Sequence, residues 1–156
     1  MNMKLLQVLP ATSFACAALV ACTVEVLSAA ESAKQIKVAC VGDSITFGAG
    51  IQDRGSNSYP AQLGQMLGAE WDVQNFGRSG ATLLNRGDVP YTKTPQYQAA
   101  LAFEPDLVLI KLGTNDTKPQ NWKHKKGYIG DYLQLINSFR NLESKPVVWI
   151  CNPVPV

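Results

Sequence analysis

Residues 38–50 read VACVGDSITFGAG. An apolar run breaks on Gly42-Asp43-Ser44, and Gly48 and Gly50 follow at once. The run begins earlier, as IKVACVG from Ile36 to Gly42, and closes on glycine, the pattern of a strand buried on both faces of a parallel sheet. A serine directly past such a strand either caps a turn or is a nucleophile held at a strand end. What leaves the ends of the neighbouring strands decides between the two.

Downstream, strand and helix patterns alternate. YPAQLGQMLG carries Tyr59, Leu63, Met66 and Leu67 at helical spacing, with Pro60 in the first turn and Gly68 as a stop. WDVQNFG reads as a second strand, and Tyr97, Ala100 and Leu101 outline a helix that ends before Pro105. DLVLIKLG is a third strand, again closed by glycine. Ile129, Tyr132, Leu133, Ile136 and Phe139 then predict one apolar stripe on a helix from Tyr128 to about Leu142. KPVVWICNPVPV supplies a fourth strand. Repeated βα units imply a parallel sheet with helices on both faces, right-handed crossovers, and reactive groups at the carboxyl ends of the strands.

The chain has 156 residues, 46% of them apolar, and a net charge of +2, which suits one globular domain with a real core. Its one basic run, Lys123 to Lys126, reads as a solvated face, so no nucleic-acid partner is expected. Residues 1–30 form a separate unit. A lysine near the start, an uncharged apolar stretch from Leu5 to Val24, and small residues at Ser28 and Ala30 have the layout of an export signal. Pro10 and the small-residue exit favour cleavage over a membrane anchor. Leu19 to Cys22, LVAC, also resembles a lipobox, which would make Cys22 a lipidated first residue and provide the one route to a membrane. Cys40 and Cys151 lie in apolar runs on different strands and are expected as buried free thiols. The domain proper is taken as 31–156, exported to the periplasm or beyond.

Each of the first three strands exits into a distinctive sequence. The first leads to Gly42-Asp43-Ser44, the second to NFGRSGAT with Gly77, Ser79 and Gly80, and the third to GTND, Gly113 to Asp116. One such motif alone is an ordinary turn or Asx cap. Three at one sheet edge make a set.

As a set, these residues resemble the SGNH hydrolases, or GDSL-type esterases and lipases, and the resemblance runs from Lys37 to Val156. It implies a three-layer α/β/α fold with a flavodoxin-like parallel sheet. It also implies catalytic roles: Ser44 as nucleophile, and Gly80 and Asn115 as oxyanion-hole donors, with the N–H of Ser44 as a third. Acyl transfer through serine needs a nucleophilic oxygen, a base, and donors aimed at the charge developing on the carbonyl oxygen. Glycine at 80 would let the backbone approach substrate and turn its N–H inward. Asp43 is placed between bracing the turn and touching substrate. Thr114 and Asp116 are expected to hold the third loop, and Gly42, Gly77 and Gly113 to act through conformation. Tyr91, Trp122 and Tyr128 are candidate aromatic faces for a sugar, Trp122 foremost. No metal or cofactor is expected, since serine chemistry needs none.

The sequence departs from the family pattern in one respect. The family carries its acid and base as Asp-x-x-His after a fifth strand, whereas the single histidine here is His124, inside NWKHKKG, with Asn121 three residues before it. Neighbouring lysines disfavour the imidazolium that a base must form. The expectation is therefore a fragment with nucleophile and oxyanion hole but without acid and base, lacking the fifth strand and closing helix, and poorly active by itself.

Other classes fit less well. The P-loop pattern is absent, Asp53 stands where a dinucleotide fingerprint needs its third glycine, and Thr46 stands where G-x-S-x-G needs its second. The GDSIT form and the long KLGTNDTKPQNW segment resemble the carbohydrate-esterase and sialate O-acetylesterase-like branch, which implies O-acetyl esters on glycans as substrates. A lipase or lysophospholipase, or a carbohydrate-binding module that does not cut, are the alternatives.

Overall fold

The glycine-closed apolar runs lie side by side. The computed structural model describes residues 34–152; the export-signal and lipobox readings, with Cys16 and Cys22, and the final PVPV beyond Asn152 fall outside the described residues. Strands β1 (Ile36–Gly42), β2 (Trp71–Gly77), β3 (Leu107–Lys111) and β4 (Val147–Ile150) form one parallel sheet in the order β2-β1-β3-β4. The four strands and the parallel pairing agree with the alternating pattern read from the sequence. Among the described residues no helix is long and apolar enough to cross a membrane.

Because strand side chains alternate between faces, the register assigns each residue to a layer. Ala39, Val41, Phe76, Val108 and Ile110 share one face and pack with residues of two helices, α4 (Pro95–Ala102) and α6 (Tyr128–Arg140). Ala100, Leu135 and Phe139 from those helices are fully buried there. Helix α3 (Tyr59–Leu67) lies against β2 on the opposite face, where Gly64 meets Val73. Helices on both faces of a parallel sheet give the α/β/α layering.

The apolar stripes are narrower than the sequence predicts. On α6, Ile129 and Leu133 are 69% and 54% exposed, and the buried line runs through Leu135, Ile136 and Phe139, flanked by Tyr128 and Tyr132. On α3, Met66 is 83% exposed. At a helix's 100° per residue, both faces turn slightly away from the stripe that a simple apolar count suggests. Val147, Trp149 and Ile150 of β4 are also exposed; β4 is an edge strand among the described residues.

Three one-turn helices escape any periodicity argument: α1 (Ser44–Phe47), α2 (Arg54–Asn57) and α5 (Pro119–Trp122). The first matters most, because α1 is folded back over the sheet's carboxyl edge. A Cβ at Gly42 would stand 2.7 Å from the carbonyl oxygen of Lys111 and 2.8 Å from Thr46 Cβ. At Gly77 it would run into the backbone N of Phe47 and lie 2.6 Å from Phe47 Cα. These two glycines have ordinary φ angles, so close approach, not conformational freedom, is what requires them.

Cys40 is buried and Cys151 half-buried, and both are free thiols. Strand β3 lies between β1, which carries Cys40, and β4, which Cys151 directly follows, so no disulfide geometry is available. Burial pushes the Cys40 thiol up to about 12, which removes it as a nucleophile at neutral pH.

Candidate active site

Gly42 pairs with Gly77 on one side and with Lys111 on the other, so β1, β2 and β3 end on a single rung of the sheet. Ser44, Gly80 and Asn115 leave that rung within a few residues. All three therefore stand at one edge, the carboxyl edge where a parallel sheet collects its reactive groups.

Ser44 is the first residue of α1 and is half-buried. The turn beneath it is held from several sides. Asp43 Oδ1 accepts from Ile45 N at 2.9 Å, and the backbone N–H groups of Phe47 and Gly48 donate to the carbonyls of Asp43 and Ser44. Asn75 on β2 clamps the same turn, donating from Nδ2 to Thr46 O at 2.8 Å while its Oδ1 accepts from Gly77 N at 2.9 Å. Asp43 itself is 1% exposed. A carboxylate so enclosed braces the turn through Oδ1, the first of the two roles that the sequence leaves open for it.

Gly80 has a φ of +82°, a region that side chains rarely enter, and the nearest atom to an added Cβ there would be Val89 Cγ2 at 3.9 Å. Space is available at this position; the backbone angle is what calls for glycine. Asn115 sits in a 3₁₀ turn (Thr114–Thr117) and is 8% exposed. Its Nδ2 donates to Ala81 O at 3.0 Å, directly beside Gly80. The second and third motifs thus meet through that carboxamide, and one of its two N–H groups is left for another acceptor.

The GDSL-like Lipase/Acylhydrolase family model matches residues 40–156. The chain belongs to that family. An acetylxylan esterase from Xylanibacter ruminicola is 42% identical across 77% of this chain and 28% of the relative. Among solved structures, a carbohydrate acetylesterase family member from Sinorhizobium meliloti matches with a TM-score of 0.62 at 24% identity, covering 78% of this chain and 64% of that one. An inhibitor-bound aryl esterase of M. smegmatis matches with a TM-score of 0.57 at 21% identity, covering 77% of this chain and 65% of that one. The chain thus spans little more than a quarter of the curated relative and just under two thirds of these two structures, whose likeness bears on the fold.

In this GDSL-type chain the loops are tied together by buried polar groups. Asp116, fully buried, accepts from Leu83 N at 2.9 Å and Leu84 N at 2.8 Å. Asn121 donates to Asn115 O at 2.9 Å and to Asp88 Oδ1 at 3.0 Å, and accepts from Asp88 N at 2.9 Å. The loop that carries Gly80 and the loop that carries Asn115 are therefore one hydrogen-bonded body. Asp116 holds the loops in shape, as the sequence suggests. Asn75 and Asn121 are not assigned a role there; each follows a glutamine in a polar or mixed stretch, and only the fold reveals its partners.

Burial pushes the Asp116 carboxyl above its usual range, against the pull of its two amide donors, with the nearby Asp43 charge adding to the rise. The sign follows from linkage. With the folded value raised, the native state holds the proton more tightly, so this group's contribution is fully present below the ordinary carboxylate range and is lost as pH rises through the raised value. Asp116→Asn should flatten that slope. It should also destabilise by about 1–3 kcal/mol, because its amide NH₂ must face one of the two backbone donors. Urea midpoints taken across the acid range check both effects.

Of the three aromatic candidates, Tyr91 is withdrawn. It is 1% exposed, and its hydroxyl donates to Phe76 O at 2.8 Å in the core. Trp122 is 41% exposed and stands edge-on to the half-buried Tyr128, with ring centres 5.9 Å apart. His124 lies on the same stretch. Burial, then Arg86 and Lys123, push its pKa below the usual histidine value. Cations beside the ring resist the imidazolium, as the lysine-rich sequence suggests.

Proposed function

We propose that this chain carries the nucleophile and oxyanion-binding portion of a serine esterase that removes O-acetyl groups from carbohydrate. One observation carries the reading: three family motifs leave a single rung of the sheet, and the Asn115 carboxamide bonds to the carbonyl next to Gly80. Family membership supports ester hydrolysis, and the acetylxylan esterase relative supports a glycan as the alcohol partner.

In this reading Ser44 Oγ attacks the ester carbonyl and gives up its proton. The negative charge formed on the carbonyl oxygen is met by the N–H groups of Ser44, Gly80 and Asn115. Collapse breaks the bond to the sugar oxygen, which leaves with a proton, and water then releases acetate from Ser44. Proton transfer is not assigned to His124, whose cationic neighbours oppose it. The Asp-x-x-His pair that the family resemblance calls for does not occur in residues 1–156. The reading takes acid and base from outside them. Export through residues 1–30 would bring such an enzyme to extracellular polysaccharide.

The test is covalent trapping by an organophosphonate in protein expressed from the complete reading frame. Label on Ser44, lost in Ser44→Ala, and release of acetate from acetylated xylan in preference to long acyl esters are the expected results. An inert Ser44 combined with measurable glycan affinity would favour a binding module. Preference for long acyl chains would favour a lipase.

A further inference from the structure

The basic run Lys123–Lys126 looks like a plain solvated face in sequence. The fold changes its meaning by bringing Arg86 to it from the Gly80–Pro90 loop. Arg86, Lys123, His124 and Lys126 line a cavity of about 230 Å³, with Leu84 and Asp131 in its wall. Among the described residues the only ion pair joins Lys34 and Asp106, so these cations have no carboxylate partner of that kind. The one carboxylate in the wall is already engaged: Asp131 Oδ2 accepts from Asn85 N at 2.8 Å and Oδ1 from Asn85 Nδ2 at 3.0 Å. Those neutral amide partners leave the Asp131 charge in place, so Arg86, Lys123 and Lys126 face a single carboxylate, and a positive surplus surrounds a hollow several times the ~30 Å³ that one water occupies in the liquid.

We propose that this hollow is an anion subsite that holds the carboxylate of an acidic sugar, with Arg86, Lys123 and Lys126 as its cations. That the carboxylate belongs to a saccharide carrying the scissile ester rests on the esterase reading above. Three features point to a sugar acid. The guanidinium of Arg86 matches a carboxylate in bidentate fashion. Trp122, the exposed last residue of α5 and next in sequence to Lys123, offers an apolar face to a ring, and Lys125 Nζ stands 6.0 Å from its centre. The hollow lies between the two loops that carry Gly80 and Asn115, and the Asn121 clasp fixes those loops to each other. Burial is the first cause of the lowered His124 pKa, and Arg86 and Lys123 add to it from the same hollow.

His124 is the only histidine in the chain, so its imidazole NMR signals report on the hollow alone. D-glucuronate, D-glucose and inorganic phosphate are titrated in parallel at equal ionic strength. Glucuronate should move the His124 signals and raise the His124 pKa, glucose should do neither, and Arg86→Gln should weaken glucuronate binding by about fivefold or more. No glucuronate-specific change, phosphate binding as well as glucuronate, or an unaltered affinity in Arg86→Gln would each overturn the proposal. Lys126→Gln serves as the second variant if Arg86→Gln does not fold. The titration does not need Ser44, so Ser44→Ala should bind glucuronate unchanged. Glucuronate binding with a phosphonate-inert Ser44 would keep the subsite and reject the esterase reading.

Discussion

Asn115→Ala should slow ester hydrolysis by roughly a hundredfold or more while leaving KM nearly unchanged. The side chain's free N–H acts on charge that exists only once the carbonyl oxygen has become an oxyanion, so its loss falls on the transition state. Removing one such donor costs about 3–4 kcal/mol in a site closed to water. The substitution also deletes the 3.0 Å bond to Ala81 O, a structural loss of about 1 kcal/mol that a melting curve reads separately. Asn115→Asp separates the two effects further. It keeps the volume of the side chain but turns a donor into an anion facing both the Ala81 carbonyl and the developing oxyanion, so its rate should fall at least as far. A loss confined to KM in either variant would remove Asn115 from the oxyanion hole.

Gly77→Ala should be among the most damaging single-methyl additions in the domain. The new Cβ meets backbone atoms of Phe47 and Thr46 in α1, the nearest non-clashing alternative being none, since Phe47 Cα would lie at 2.6 Å and Thr46 C at 2.7 Å. Backbone cannot swing aside as a side chain can, so the cost should reach or exceed about 3 kcal/mol, the upper end of ordinary overpacking. A fall in Tm on the order of 10 °C follows for a domain of this size. Whatever relief the chain finds must come from moving α1, so Ser44 should also lose reactivity toward the phosphonate in the fraction that stays folded. Gly55→Ala is the control. That glycine lies in α2 with no atom within 4 Å of the added Cβ and no positive φ, so alanine there should be neutral or mildly stabilising.

Much of the sheet was legible from sequence because its strands are apolar runs punctuated by glycine, and local patterns of that kind carry through to the fold. Ile36–Gly42 and Trp71–Gly77 match the runs from which they were read. The common edge of Ser44, Gly80 and Asn115 follows from the same punctuation, since βα order sends every strand's exit to one side. Helix faces were harder. Ile129, Leu133 and Met66 are apolar but exposed, and apolarity alone does not say which way a short amphipathic helix rotates. Long-range polar contacts were the least legible. Asp116 reaches Leu83 and Leu84, and Asn121 reaches Asp88, across more than thirty residues of sequence, and no local pattern announces such a pairing. Arg86 joined the basic run for the same reason: only the chain's path brings them to one hollow.

The Asn121 and Asp116 clasps also determine when disorder is lost. A long connection between a strand and a helix would ordinarily be frozen only when substrate arrives, and that ordering would weaken association. Here the amides of Leu83, Leu84 and Asp88 are already engaged, so they should exchange slowly with deuterated solvent although they lie in no helix or strand. The two connections are then one heritable unit. A graft of either from another esterase must bring its counterpart's contact residues with it.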